Sequence, residues 1–449
     1  MKFFSILLLS TLIISDLFAQ TSKIDDAIDA YNKMMNTNTL KQRSDSIRKE
    51  FGEDSARVYV EMERNIQKKV SIENRYELYE NNSNAKDITS LDLSNMDLTE
   101  IPAFVFDYTN LRVLDLSNNQ ISRLDRRLKK LQCLQYLDIS SNHLDSVSLK
   151  SARLKSLKKL RLANNNLSAL PKHIRKFKAI ETLDISYNRF TSIPKKTKKL
   201  NRLTTLKIQS NNLRDFGIGF KYIKGIESID AHGSNIEFVP DNISSLEKLR
   251  GLDLSYNRIQ YFSNNIGELK GLSGLSLHYC DLSQLPDGLM NCKELENLLL
   301  YHNRLRALPE DIVHLQKISS LHLNNNELQY LPDNIGKMNL KEIYVYHNKL
   351  TSFPTSLSDL DSLVHIRFDN TYVSEFPSQL FNLTQIESIN FTDTDITVLP
   401  EEILGLEKLD LLCYRESQLD LNDPQNRNYN HITQSLFDRG VKLFVIDYE

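Results

Sequence analysis

From residue 88 onward, apolar and polar side chains alternate inside a frame that repeats along the chain. Apolar residues hold positions 1, 4 and 6 of each frame, and the intervening positions 3, 5 and 7 are mostly polar. The frames open at Ile88, Leu111, Leu134, Leu157, Ile180, Leu203, Ile226, Leu249, Leu272, Leu295, Ile318, Leu340, Leu363, Ile386 and Leu409, at steps of 23 residues except for the 22-residue step from Ile318. Alternation with a period of two predicts a short strand over positions 3 to 7, with positions 3, 5 and 7 facing away from the core. Positions 18 and 21, as in Ile312 and Leu315, are three apart and share the inner face of a short helical turn. Each frame is therefore strand, turn, helical turn. One such unit cannot bury its apolar face alone, so fourteen full frames and a truncated fifteenth are expected to stack into one array with its strands side by side in a parallel sheet.

Two further positions fix the frame. Ten of the eleven prolines (Pro102, Pro171, Pro194, Pro240, Pro286, Pro309, Pro332, Pro354, Pro377 and Pro400) stand at position 15. Position 9 is Asn119, Asn142, Asn165, Asn188, Asn211, Asn257, Asn303, Asn326 or Asn348, replaced elsewhere by Ser234, Cys280, Thr371, Thr394 and Ser417, and by Met96 in the first frame. A buried amide both donates to and accepts from backbone groups where the chain turns off the strand, and the small replacements keep part of that capacity. The pattern Leu-x-x-Leu-x-Leu-x-x-Asn-x-Leu-x-x-Leu-Pro resembles the leucine-rich repeat family, in its 23-residue class found in plant intracellular Ras-group-related proteins and their bacterial counterparts. The resemblance covers residues 88–421. It implies an α/β leucine-rich repeat solenoid, a horseshoe with a concave parallel β-sheet and short helical turns on the convex side.

The ends of the chain read differently. Residues 1–19 combine Lys2, an apolar run from Phe3 to Ile14, and Ala19 before a polar stretch, the layout of a cleaved signal peptide. The run is shorter than the ~20 apolar residues of a membrane-spanning helix. Export to a periplasm, a cell surface or the medium is the expectation, with no transmembrane span after cleavage. Residues 20–87 are polar, free of proline and helix-favouring, as expected of an N-terminal helical cap. Residues 422–449 offer Asp423 as an N-cap, Pro424 at the first helical position, Gly440 as a stop, and then an apolar strand, together a C-terminal helix-strand cap.

Composition narrows the function. With 25% charged and 40% hydrophobic residues, the chain is neither a disordered polymer nor a polytopic membrane protein. Its four cysteines are scattered, unlike the paired clusters that close many animal extracellular repeat arrays, which favours a bacterial origin. There is no G-x-x-x-x-G-K-[ST], H-E-x-x-H or C-x-x-C, and Gly217-Ile218-Gly219 lacks the third glycine of a dinucleotide fingerprint. The expectation is a non-enzymatic protein with no catalytic residue, cofactor or metal site. Position 5 carries Asp92, Asp115, Asp138, Asp184, Asp230 and Asp253, which reads either as a stripe for a cationic partner or as a solvated edge.

Two surfaces stand out. The net charge of −2 hides a segregation: residues 111–225 hold 26 Lys+Arg against 7 Asp+Glu, and residues 226–408 hold 13 against 26. Late in their frames the first-half cations form runs at Arg126, Arg127, Lys129 and Lys130, at Lys172, Arg175, Lys176 and Lys178, and at Lys195, Lys196, Lys198 and Lys199. The register places them on the convex side, where they are either solvated or able to steer an anionic partner. The second half instead places tyrosine and histidine at outward positions: His278, Tyr279, Tyr301, His302, His322, Tyr344, Tyr346, His347 and His365, with His232 and Tyr256 before them. Aromatic side chains with polar tips give large contact area at low entropic cost, as recognition surfaces do. The sequence thus predicts an exported interaction scaffold that binds a protein or peptide ligand on its concave face. The alternative is an adhesion or structural protein of the cell envelope that holds anionic polysaccharide or lipid headgroups on the basic face. Nucleic acid fits neither.

Overall fold

The computed structural model describes residues 87–145, 154–170, 174–214 and 216–445, without the side chain of Arg175. The signal peptide and the helical cap expected over residues 1–87 lie outside the described residues, apart from Asp87. Sixteen parallel strands among the described residues form one sheet, from Ser90–Asp92 through one strand per repeat to Leu411–Tyr414 and finally Lys442–Val445. Adjacent strands pair in register frame to frame, as in Ser228↔Gly251 and Asp230↔Asp253. The array is an α/β solenoid with the sheet on its concave side.

The strand of each full repeat covers positions 3 to 5 only, shorter than the alternation predicts. Single hydrogen bonds continue the ladder to position 8, as from Leu93 N to Asp115 O (2.8 Å) and from Asn95 N to Ser117 O (3.0 Å). The strand ends early because position 8 is left-handed in all fourteen full repeats, with φ between 51° and 59° from Asn95 to Asp393. A left-handed residue turns the chain off the sheet edge and into the interior.

Position 9 then plugs the turn. Asn303, like Asn119 and Asn257, makes the fullest set: its Oδ1 accepts from Cys280 N (3.1 Å) and Leu282 N (3.0 Å) of the previous repeat, and its Nδ2 donates to Leu277 O (2.8 Å) and Leu300 O (2.9 Å). One side chain thus satisfies four buried backbone groups and ties two repeats together. Where the amide is missing the chain compensates. Burial pushes the Cys280 thiol up to about 12, so it stays protonated and donates to Leu254 O at 3.1 Å. Ser234 does the same toward Ile208 O at 3.1 Å.

The convex turns are 3₁₀ rather than α-helical, for example Ala103–Asp107 and Glu310–His314. Where position 15 is proline, it supplies a fixed φ just before the turn and carries no N–H to be satisfied there. In two repeats without proline a side-chain cap stands in its place: Asp125 accepts from Arg127 N, and Ser263 accepts from Asn265 N. Between sheet and turns, Leu and Ile at positions 1, 4 and 6 are almost fully buried, and near the C-terminus Phe368, Phe391 and Tyr414 take over position 6 as a stacked spine.

The last element differs from its expected boundaries. Asp423 caps a separate 3₁₀ turn, Pro424–Asn426, and the α-helix (α1) runs from Tyr429 to Asp438. Asn426 explains the break, since its Oδ1 accepts from Leu399 N (3.0 Å) and its Nδ2 donates to Thr397 O (2.7 Å), a position-9 role that holds the chain against the repeats. Arg439 at the end of α1 donates to Leu404 O and Leu406 O, carbonyls of the last convex turn. Tyr414 and Tyr429 share a buried hydrogen bond at 2.9 Å.

The ladder makes a clear demand on stability. Asn303→Ala leaves two N–H and two C=O groups of repeats nine and ten without their partner, at about 1–3 kcal/mol for each orphan that stays dry. Local stability should fall by roughly 3 kcal/mol, read as faster hydrogen exchange at the amides of Cys280 and Leu282 while repeats two to five keep their protection. Unchanged exchange at both amides would refute the role given to this side chain.

Candidate functional site

The left-handed turn also decides where the aromatic side chains go. Asparagine, aspartate, serine and glycine fill position 8 in most repeats, and these residues tolerate φ near +55° or stabilise it locally. Tyr187 and His347 stand there singly in repeats five and twelve, and repeats eight, nine and ten carry Tyr256, Tyr279 and His302 in succession, at φ of 55°, 55° and 54°. A left-handed backbone costs a bulky residue about 1–2 kcal/mol. Three in succession are not explained by the fold.

What the strain supports is a stack. Tyr256 lies on Tyr279 with ring centroids 4.6 Å apart and planes 9° from parallel, and Tyr279 lies on His302 at 4.1 Å and 11°. Alongside, at position 7, His278 stacks on Tyr301 at 4.5 Å and 16°. The two rows meet edge to face, His278 against Tyr256 at 5.3 Å and Tyr301 against His302 at 5.9 Å. Five rings from three neighbouring repeats thus make one surface, from which Tyr256 and Tyr279 stand 55% and 40% exposed. His278 Nδ1 is buried at its centre without a hydrogen-bond partner, a second local cost.

The remaining sequence candidates are only partly joined to this cluster. Buried Asn324 and half-buried Asn325 occupy positions 7 and 8 of repeat eleven, so Tyr346 and His347 lie beyond a gap. Tyr346 is also covered from within: the Arg367 guanidinium sits 4.3 Å from its ring centre and is held by Asp369 at 3.1 Å. His322 and Tyr344 form their own stacked pair at position 5, 5.1 Å apart, with Ser320 Oγ bridging to His322 and to Glu342. His365 is half-buried at position 3 of repeat thirteen, outside both groups.

Beside the five rings lies a small polar floor that the repeat pattern does not single out. Position 3 is Gly251 and Gly274 on paired strands. A Cβ at Gly274 would meet nothing within 4 Å, and one at Gly251 would meet only Ser228 Oγ at 3.6 Å. At position 5, Asp230 and Asp253 face each other in register. Asp230 accepts from His232 Nδ1 at 2.8 Å, and Asp253 accepts from Ser255 N (2.9 Å) and Ser255 Oγ (2.6 Å). Ligand atoms of Asp230, His232 and Asp253 all lie within 4.8 Å of one another, the group among the described residues with the make-up of a metal site. A separate polar cleft of about 630 Å³ opens on the flank of repeats eight and nine, lined by Asp241, Arg258, Tyr261, Asp281 and Arg304.

On the convex side, Arg126, Lys129, Lys130, Lys178, Lys195, Lys198 and Lys199 are exposed. Arg127 is held by Asp125 at 2.7 Å and Lys130 by Asp107 at 3.5 Å, while Lys196 donates to Leu170 O and Lys178 to Lys199 O at 3.4 Å. Half-buried Lys176 lies beside them. Lys172 and the side chain of Arg175 fall outside what is described.

Family models agree with this architecture. One described as a leucine-rich repeat region matches residues 148–259 and 225–363, and one described as a leucine rich repeat matches residues 86–144. A leucine-rich repeat protein of Leptospira interrogans is similar to this chain in structure with a TM-score of 0.61 and 25% identity, over 73% of this chain and 96% of that one. The plant peptide hormone receptor RGFR1, solved in complex with RGF2, aligns with a TM-score of 0.59 and 26% identity over 73% of this chain and 56% of the receptor chain. Toll of Drosophila, solved with Spätzle, shares the fold at a TM-score of 0.66 and 21% identity over 80% and 52% of the two chains. This chain thus spans little more than half the length of either receptor chain. Comparison with curated proteins finds no match. Among the described residues no helix is long and apolar enough to cross a membrane.

The cluster has a pH signature. Burial lowers the pKa of His278, of His302 and of His322 below the ordinary 6.5, with neighbouring histidines adding to the effect at His278 and His302. The fold therefore favours their neutral forms: the unfolded chain takes up protons first as pH falls. This stabilisation is complete above 6.5 and is lost as pH drops through the folded-state values. NMR titration should give midpoints below 6.5 for all three rings, with a thermal transition that falls between pH 7 and pH 5. Midpoints at or above 6.5 would contradict the burial described.

Proposed function

This chain belongs to the leucine-rich repeat family, and from that premise we propose that it is an exported interaction scaffold that binds a protein or peptide ligand on its concave face, at the five rings of repeats eight to ten. The observation that carries the reading is the backbone strain beneath them. Tyr256, Tyr279 and His302 occupy a left-handed position that Asn fills without penalty in Asn118, Asn164, Asn325 and Asn370 of the same array. Strain kept in three successive repeats, and spent on presenting a flat stack of half-exposed rings, is what a recognition surface requires and a solvated face does not. Receptor chains of the same fold solved with peptide or protein ligands support the class of partner. The amino-terminal apolar run supports export. The rings and carboxylates of the concave face serve contact and orientation, so binding rather than catalysis is the role assigned.

A second reading rests on the exposed cations Lys195, Lys198 and Lys199 of one convex turn, which have no acidic partner within ion-pair distance among the described residues. Such a turn suits anionic polysaccharide or lipid headgroups of a cell envelope. Salt separates the two readings, because exposed charge contacts are screened within about 10 Å at 0.1 M ionic strength, whereas stacked aromatic contacts persist.

Replacing Tyr279 and His302 by Asn tests the first reading. Relief of the left-handed strain and loss of stacking are each on the order of 1 kcal/mol, so thermal stability should stay within about 1 kcal/mol of the parent. Affinity for a polypeptide partner captured at 0.5 M NaCl should drop about thirtyfold or more, the loss expected of central aromatic anchors. Undiminished affinity, or capture that vanishes in salt with the parent protein, would move recognition to the basic face.

A further inference from the structure

The concave sheet shows, at two places of its own, what it does with carboxylates and ring faces. Arg161 at position 5 stands between Asp138 and Asp184, at 2.9 Å and 3.4 Å. Arg367 at the same position of repeat thirteen lies on Tyr346 and is held by Asp369. In both cases a guanidinium from the array neutralises the acid, and in the second it also covers the ring.

Repeats seven to nine have the same acids and more ring surface, but no such cation. Asp230 and Asp253 lie in register on adjacent strands, an arrangement in which like charges repel. Their partners are His232 and Ser255, together with the Gln209 amide, which with its nitrogen turned inward donates to Asp230 Oδ1 at 3.2 Å. Lys207 stands in register beside Asp230 on the preceding strand, yet among the described residues neither it nor any other Lys or Arg reaches ion-pair distance of either carboxylate. Tyr301 and His278 lie close enough to Asp253 to feel its charge. Next to the acids, Gly251 and Gly274 leave depth that neither a positive φ nor crowding demands. Glycine inside a strand weakens it, and its usual compensation is the close approach of something else.

We propose that the surface formed by Gly251, Gly274, Asp230, Asp253, Tyr256 and Tyr301 is a seat for a cationic side chain of the ligand, an arginine or lysine whose stem lies over the two glycines and whose charge meets the two carboxylates beside the tyrosine rings. The seat rests on the recognition reading above and specifies the ligand as a basic segment, in keeping with the 26 Asp+Glu against 13 Lys+Arg of residues 226–408. An ammonium or guanidinium gains from carboxylate and ring face together, and it arrives with a hydrophobic stem that suits a glycine floor. A divalent metal ion on Asp230, His232 and Asp253 is the competing occupant, and the test includes it.

The full chain, immobilised, is used to select from a library of short random linear peptides in the presence of EDTA. The parent protein should retain peptides with Arg or Lys at several times library frequency. Asp230→Asn with Asp253→Asn should return that frequency to the library value and weaken a selected basic peptide roughly tenfold or more. Asp115→Asn, at position 5 of repeat two away from the rings, should change nothing. Gly274→Leu should abolish retention at an unchanged thermal transition, because a side chain there starts from a Cβ with nothing within 4 Å and extends over the floor. Basic enrichment that survives the double Asn variant, or retention that needs added Mn²⁺ in place of EDTA, would overturn the seat. If Tyr279→Ala loses the peptides while no basic enrichment is seen, the recognition surface stands and the seat fails. If Tyr279→Ala retains them all, or the parent retains none, both fail.

Discussion

The buried amide at position 9 is the interaction on which the rest of this array depends. It accepts one or two N–H groups of the previous repeat and donates to carbonyls of both repeats where the chain leaves the strand, just after a left-handed residue. Strand length, the fixed 23-residue register and the inward course of the chain toward the convex 3₁₀ turn follow from that geometry. So does the position of the aromatic surface, since the left-handed residue carries its side chain to the rim of the sheet. The scaffold therefore creates one exposed, strained site in every repeat, and the sequence decides whether to fill it with a residue that relieves the strain or one that uses it.

Most repeats relieve it with asparagine, serine, aspartate or glycine. Tyr187 and His347 keep it singly and repeats eight to ten keep it in succession, and this last stretch also holds an unpaired buried nitrogen on His278 and two carboxylates in register. Costs of about 1–3 kcal/mol each are large beside the marginal stability of a folded domain. A solenoid can carry them because each repeat contacts only its neighbours, so strain in the middle is offset by well-packed units on both sides. The neighbours are well satisfied: Asn257, Asn303 and Asn326 flank the strained positions with complete hydrogen-bond sets.

Much of this was legible in the sequence, because period and composition speak directly to a repeat. The frame, the parallel sheet, the proline before each turn and the amide ladder all follow from apolar spacing and from what an amide can bond. The strand length was not legible, since alternation over positions 3 to 7 says nothing of the left-handed residue that cuts the ladder short. Nor did the pattern disclose that Tyr256 belongs with Tyr279 and His302, or that Arg367 covers Tyr346, because those relations depend on ring orientation. The acids and glycines beside the rings had a signal that was easy to pass over. Asp at position 5 is common throughout the first repeats, and what sets Asp230 and Asp253 apart is the ring surface and the glycines beside them. Gly251 and Gly274 at an outward strand position, where the backbone does not need them, were the clearer sign.

The central claim is that the stacked rings of repeats eight to ten are the contact surface. A photoreactive benzoylphenylalanine in place of Tyr279 tests it directly, with the same substitution at Tyr136 on the concave face of repeat three as the comparison. Irradiated in a mixture with the proteins of the cells that produce it and of their medium, the 279 variant should form a covalent adduct with a polypeptide, suppressed by excess unlabelled parent protein, and the 136 variant should form none. An adduct from position 136 and none from position 279 would contradict the account.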